Sequence, residues 1–475
     1  MKTLSFPQRT GLARVPRAAL AVAALALAGC AQNQPVATAS SAAALPDAWA
    51  SPSGPQALDW AGLLDPQLAA LQARAMAANR DIQLAAQRWK QAQLLVAQSQ
   101  QRWTPSASLS ANASRPVQTQ STTRNVDVGG ITVPVTTSTG WSRSYGASLG
   151  VGYEIDLWDR LALGTAAQQA QADAARADIT AARLAIRNEV AQTYWTLAAL
   201  QAQQPLAKAQ RDLTQEMLGL TRQRVREGKL LPVELDRMAV SLQAAESRLA
   251  DLAADTQLQR QVLALLLDEA LTLPAPAATL PSGEPPRWRL AAPADVLAQR
   301  PDVQRARLAV DAALARLRVS EAERYPRLSF SAGLSTGGTT VSDWLAQPLA
   351  SLAGNLVVPL IDWQRLALQR DGARNELDTA ALSLRDTLQK ALADIETQRI
   401  EAERAAQQLQ ANVGRLREAT ENERLAALRL EVGSISRLDW LQTRSALLDA
   451  QQTALRLRLA QWVRQATLFK ALGAS

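Results

Sequence analysis

The sequence predicts a mainly α-helical, internally duplicated chain in which long antiparallel helical hairpins are joined to four amphipathic β-strands of the kind that span membranes. Three observations carry this prediction. After Gly433, the positions Leu438, Leu441, Ser445, Leu448, Gln452, Leu455, Leu459, Trp462, Ala466 and Phe469 alternate by three and four residues. That is the coiled-coil spacing that keeps one stripe facing a partner. The expected partner is the preceding helix, where Leu388, Ile395, Ala402, Leu409 and Leu416 recur at sevens between about Gln364 and Glu431. A helix of that length is a rod on the order of 100 Å, longer than a globular domain needs.

The second observation is duplication. A shift of 205 lays Trp363, Arg365, Leu366, Ala367 and Leu368 on Trp158, Arg160, Leu161, Ala162 and Leu163, and Gly433 on Gly228, without a gap. A shift of 221 lays Pro301-Asp302-Val303 on Arg80-Asp81-Ile82, Leu317 on Val96 and Pro326 on Pro105. Each copy is a shorter helix, a segment opening at proline, a return segment and a long hairpin. The third observation is a change of period within those proline-led segments, from helical to alternating.

In chain order, residues 1–29 carry Lys2, Arg9, Arg14 and Arg17, no acid, and the apolar run Ala18–Ala28, the layout of a secretory signal too short to span a membrane. Leu27-Ala28-Gly29-Cys30 resembles the bacterial lipoprotein signature, which makes Cys30 the acylated mature N-terminus; it is the only cysteine, so no internal disulfide exists. With Ala31 rather than Asp after it, that resemblance implies delivery to the outer membrane. Residues 30–57, rich in Ala, Ser, Pro and Gln, read as a tether. The first repeat covers 58–270. It opens with a helix after Asp65-Pro66 and a second after Asn79, with Ile82, Trp89 and Val96 on one stripe. Strands follow at 105–113 and 143–156, then a hairpin over 162–267. Residues 271–293 form a proline-rich linker, expected at an equatorial level together with a kink or break at Pro205. The second repeat, 294–475, has a helix at 302–324, strands at 326–336 and 352–361, and a hairpin over 364–472.

Within the strands, Ala107, Leu109, Ala111 and Ala113 alternate with Ser and Asn, and Tyr145 to Ile155 alternate with Ser and Gly. Leu328, Phe330, Ala332 and Leu334, then Leu352, Gly354, Leu356, Val358 and Leu360, repeat the pattern. A membrane barrel has this pattern, and a soluble sheet on a helical core would give the same alternation. Trp103, Trp141, Trp158, Trp344 and Trp363 at the strand ends match an aromatic girdle, which together with the signal favours the barrel. Four strands cannot close one, so several chains must contribute. Residues 115–140, rich in Thr, Ser, Gly and Val, read as a long outer loop whose shorter counterpart runs from Thr336 to Asp343.

Composition excludes other classes. Formal charge is +8, but without the first 29 residues it is 47 basic against 43 acidic side chains, a net of +4, with no basic arm or stacking cluster for nucleic acid. There is no histidine, which removes His triads, imidazole bases and His metal sites. No phosphate-binding glycine loop or nucleophile elbow is present, so neither an enzyme nor a cofactor or metal site is expected.

Paired strands leading into rod-length helices, duplicated behind a lipoprotein signal, resemble the TolC-like outer membrane factors, in particular the lipidated OprM/NodT-type branch that serves multidrug efflux pumps. The local matches are Tyr153-Glu154-Ile155-Asp156-Leu157-Trp158, Val358-Pro359-Leu360-Ile361-Asp362 and Leu468-Phe469-Lys470-Ala471-Leu472-Gly473. The resemblance implies a homotrimer whose strands make a twelve-stranded barrel in outer membrane lipid, continued by a helical tunnel across the periplasm. It further implies an exit duct of a tripartite system, partnered by a periplasmic adaptor (membrane fusion) protein and an inner-membrane pump and passing small toxic compounds. A protein-secretion duct and a periplasmic coiled-coil adaptor or structural lipoprotein are the alternatives.

Gly228 and Gly433 are expected at the hairpin tips, where glycine takes the left-handed conformation that ends a helix; the resemblance adds adaptor docking there. Just beyond, Glu234 overlies Asp439 and Arg237 overlies Gln442 at the 205 shift. In the resembled family acidic residues spaced by three line the closed periplasmic aperture. Asp439 matches the first and Gln442 stands at the second, with Glu234, Arg237 and an apolar Leu438 as further candidates. Helix-start electrostatics is the competing reading of these acids.

Overall fold

The computed structural model describes residues 65–115, 121–138, 143–270, 293–340 and 348–473, and positions 278, 280, 281, 283 and 285 within the linker. All of them belong to one compact unit, 45–475. The signal segment, Cys30 and the tether lie outside the described residues.

Helix α1 (Pro66–Ala78) starts at Asp65, whose Oδ1 accepts from the Leu68 N–H at 2.7 Å, with proline at its first position. Asn79 ends α1 and caps α2 (Arg80–Gln101), accepting from the Asp81 and Ile82 N–H groups. Strands β1 (Ser106–Ser114), β2 (Ser121–Val128), β3 (Ile131–Ser138) and β4 (Ser144–Ile155) precede the hairpin of α3 (Arg160–Arg226) and α4 (Pro232–Leu266). The second copy follows as α5 (Pro293–Gln299), α6 (Pro301–Ala322), β5 (Arg327–Gly338), β6 (Leu349–Val357), α7 (Trp363–Glu431) and α8 (Arg437–Ala471).

Four sequence expectations need correction. The stretch 115–140 is not all loop. Residues 121–138 form an antiparallel hairpin turning at Gly129 and Gly130, both at positive φ, because Thr and Val alternate on either side of a turn only glycine tolerates well. Pro205 does not break α3, which runs through it as one helix. Its ring lies on an exposed face, where the helix can adjust without disturbing packing. The fourth strand, expected over 352–361, runs in the single chain over Leu349–Val357, after which the Leu360 N–H turns back onto the Val358 carbonyl at 2.9 Å.

The seam of α8 also has a different partner from the expected one. Leu441 and Leu448 pack with Leu213 and Met217 of α3, and Trp462, Ala466 and Phe469 with Val190, Tyr194 and Trp195 of the same helix. The α7 stripe of Leu388, Ile395 and Ala402 instead meets Leu468, Ala471 and Leu472 on another face of α8. A helix with a neighbour on each side carries two stripes, and the heptad count saw only one.

The largest core lies where α1, α2, α3, α4 and α8 converge; Trp195 and Trp462 meet there with ring centroids 5.4 Å apart, and Ala278 of the linker joins them. Tyr194, fully buried, donates its hydroxyl to Asp65 Oδ2 at 2.8 Å. The two copies end alike. Asn79 Nδ2 donates to the Leu266 carbonyl, and Arg300, at the corresponding place, donates Nη1 to the Ala471 carbonyl. Arg300 also grips Asp302 and Asp394 at 2.8 and 3.1 Å. Burial alone would lower its pKa, yet these two carboxylates hold it above the usual value.

Candidate functional site

The β-section is one antiparallel sheet in the order β1-β4-β5-β6. Its register aligns the alternation of all four strands. Leu109, Leu149, Leu334 and Ala350 form one row and Ala107, Val151, Ala332 and Leu352 the next, both on one face. Behind them run Ser108, Gly150, Gly333 and Ser351, and Ser110, Ser148 and Ser335, with Ser110 and Ser148 hydroxyls bonded at 2.7 Å. Within the chain the apolar face has no cover: Leu109 is 79% exposed and Leu352 83%. Outer edges β1 and β6 have no partner strand among the described residues. A face this apolar, with open edges, is incomplete in water and in lipid alike.

The helices below are incomplete in the same way. Helix α3 packs against α2, α4, α6 and α8, and α7 against α6 and α8, which leaves α2, α4 and α7 as borders. On those borders Leu84, Leu94, Val240, Leu258, Leu382 and Ile400 are exposed. Tryptophans mark the strand–helix junctions. Trp158 stacks on Tyr325 at 4.8 Å and donates Nε1 to the Pro326 carbonyl at 2.8 Å, which turns it inward rather than to a girdle. Trp103 and Trp363 are exposed, with the Arg324 guanidinium 4.0 Å from the Trp363 ring centroid; Trp141 and Trp344 lie outside the described residues.

At the other end, Gly228 and Gly433 close the hairpins at φ 70° and 71°. Lys229 donates its N–H to the Arg224 carbonyl and Ser434 to that of Arg429, the six-to-one bond of a helix ending in a left-handed residue. Asp439 is the third residue of α8 and completes a capping box. Its Oδ2 accepts from the Ser436 hydroxyl at 2.7 Å and the Ser436 N–H at 3.0 Å. These bonds from Ser436 hold the Asp439 carboxyl below its ordinary pKa.

Glu234 and Arg237 pair with each other at 3.1 Å on α4 and make no ion pair with Asp439 within the chain. Gln442 is exposed, and Leu438 is half-buried against the Leu213, Met217, Leu441 and Leu448 cluster. Sequence reasoning missed the ties between the two hairpins. Arg437 grips Glu216 of α3 with Nε and Nη2 at 2.8 and 3.3 Å and lies over the Trp440 ring, and Gln210 of α3 donates to Ser445 of α8 at 2.6 Å. Within the second hairpin, Arg444 also joins Glu423 of α7 at 3.0 Å. The neighbour relation of α3 and α8 is not encoded in either helix's heptads, so no sequence signal paired them.

A family model described as "Outer membrane efflux protein" matches residues 71–268 and 292–474, one stretch for each copy. The pyoverdine export outer membrane protein OpmQ of Pseudomonas aeruginosa is 27% identical over 421 residues, which cover 87% of this chain and 86% of that protein. The probable efflux pump outer membrane protein TtgC of Pseudomonas putida is 26% identical over 358 residues, 71% of each chain. Among solved structures, the CmeC outer membrane channel of Campylobacter jejuni superposes with a TM-score of 0.74 at 18% identity, covering 89% of each chain.

Proposed function

This chain belongs to the outer membrane efflux protein family, and from that premise we propose that it is the exit duct of a tripartite efflux system, assembled from three copies. The observation that carries this reading is the incomplete sheet. Four strands, apolar on one face and lined with Ser, Gly and Asn on the other, with both edges open, need further strands to close. Three copies supply twelve, which leaves no edge in lipid and puts the polar face around a bore. The exposed apolar borders α2, α4 and α7 then meet between copies to continue the bore as a helical tube, with Cys30 acylated as a second hold on the membrane.

Relatives are described as exporting pyoverdine and as efflux pump components. For this chain the cargo class is small compounds, delivered by an adaptor and pump that meet the Gly228 and Gly433 tips. Three Asp439 carboxylates, brought together by threefold symmetry beside Glu234, Arg237, Gln442 and Leu438, narrow the periplasmic end. Fractionation tests the reading. The protein should need detergent for extraction and run as a detergent-stable trimer, and its loss should sensitise cells to a panel of antibiotics, detergents and dyes. Release of the protein by a salt wash would refute it.

A further inference from the structure

The two copies obey one register. The β1–β4 pair Ser106 and Gly152, carried by the shifts of 221 and 205, becomes Arg327 and Val357, which is the observed β5–β6 pair. The chain therefore shows twice how strands pair within a copy, and once how they pair between copies, at β4–β5. In a closed ring the same kind of step recurs between β6 of one chain and β1 of the next. Resting on the trimeric duct proposed above, we infer that this seam repeats the β4–β5 register, with Leu356, Val358 and Leu360 opposite Ala111, Leu109 and Ala107 of the next copy. The Trp363 indole N–H then donates to the Pro105 carbonyl of that copy.

Four observations support the transfer. The β4–β5 pairs Val151 with Ala332, Tyr153 with Phe330 and Ile155 with Leu328 are the ones that map onto this seam. The mapping sets apolar rows against apolar rows and Asn355 against Asn112 of the next copy, whereas a slip of one residue would turn every β6 side chain to the wrong face. In the single chain β6 starts at the counterpart of Ser144 but stops three residues short of the counterpart of Ile155, which is Leu360. Pairing with β1 of the next copy extends it over that stretch, and Pro359 costs the ladder at most one bond.

The fourth observation is the tryptophan. Trp158 donates Nε1 to the Pro326 carbonyl across the β4–β5 step, and both residues are duplicated as Trp363 and Pro105. Trp158 is half-buried, while Trp363 is 55% exposed and its N–H makes no hydrogen bond among the described residues. The helices follow the same rule. The Arg305–Asp178 contact between α6 and α3 maps onto Leu84 of one copy and Ser383 of another, and Leu84 and the adjacent Leu382 are both exposed in the single chain.

Paired cysteines read the register directly. In the full-length protein, Leu109→Cys with Val358→Cys, and separately Ala111→Cys with Leu356→Cys, should on oxidation in membranes give covalent dimers and trimers that reductant collapses, because directly opposed strand positions come within disulfide reach. Leu109→Cys with Leu356→Cys or Val357→Cys, and the parent chain with Cys30 alone, should stay uncrosslinked. Crosslinking in a slipped pair, or in none while the protein remains trimeric by mass, overturns the register and leaves the duct standing. Absence of a trimer in the parent chain would instead sink the duct. Should the cysteine pairs fail to assemble, Trp363→Phe keeps an aromatic ring beside Arg324 and removes the indole N–H together with the five-membered ring that carries it. It should lower the temperature at which the trimer dissociates, and an unchanged temperature contradicts the seam.

Discussion

Asp439 has a settled role within the chain, which sharpens what its second role must show. Its carboxylate and Ser436 cap α8, so Ser436→Ala should cost about 1 kcal/mol, read as a lower melting temperature. Because hydrogen bonds from Ser436 lower the folded pKa of Asp439, the carboxylate's part is complete above the ordinary range near 4 and is lost as pH falls through the lowered value. The Ser436→Ala deficit should therefore be constant from about pH 5 to 8 and narrow in stronger acid. The aperture role makes a different demand. Asp439→Ala with Arg237→Ala should raise single-channel conductance in planar bilayers and sensitise cells to large antibiotics with little change in trimer stability; a small stability loss with unaltered conductance would leave capping as the whole account. Gly433 sits at φ 71° with open space around it, so Gly433→Val meets backbone strain and not a clash. It should weaken capture of the adaptor while trimer and barrel survive; undiminished capture would remove the tip from the docking surface.

The elements were legible to different depths. Helix α7 begins within a residue of its expected start, and three of the four strands within two residues at either end, because an uninterrupted 3.5-residue seam or strict alternation leaves little choice of period. Which helix a stripe faces was not legible, since α8 divides its apolar side chains between α3 and α7 and a linear seam names no neighbour. The β2–β3 hairpin was hidden by its composition, as Thr, Val and Gly suit both a loop and a strand pair. Arg300 carries no sequence signal beyond a positive charge ahead of a helix, yet it ties α6 to α7 and to the end of α8. Arg300→Ala should leave the Ala471 carbonyl without its side-chain donor and Asp394 with only the Gln398 amide at 3.5 Å, and cost about 2 to 3 kcal/mol, read as a lower melting temperature, with Arg300→Lys recovering part of it.

One chain of this protein is an unfinished object. Its sheet has an uncovered apolar face and two open edges, its border helices expose leucines, and its longest helix, at 69 residues, spans on the order of 100 Å. Membership of the outer membrane efflux protein family says where such a chain works, and the threefold closure proposed above would turn these features into a continuous passage. Electron microscopy of the detergent-extracted full-length protein tests this most directly. A threefold particle should appear, with a bore running from a short barrel into a helical tube on the order of 100 Å long. A single chain with its sheet edges free, or an assembly with no continuous bore, would contradict the account.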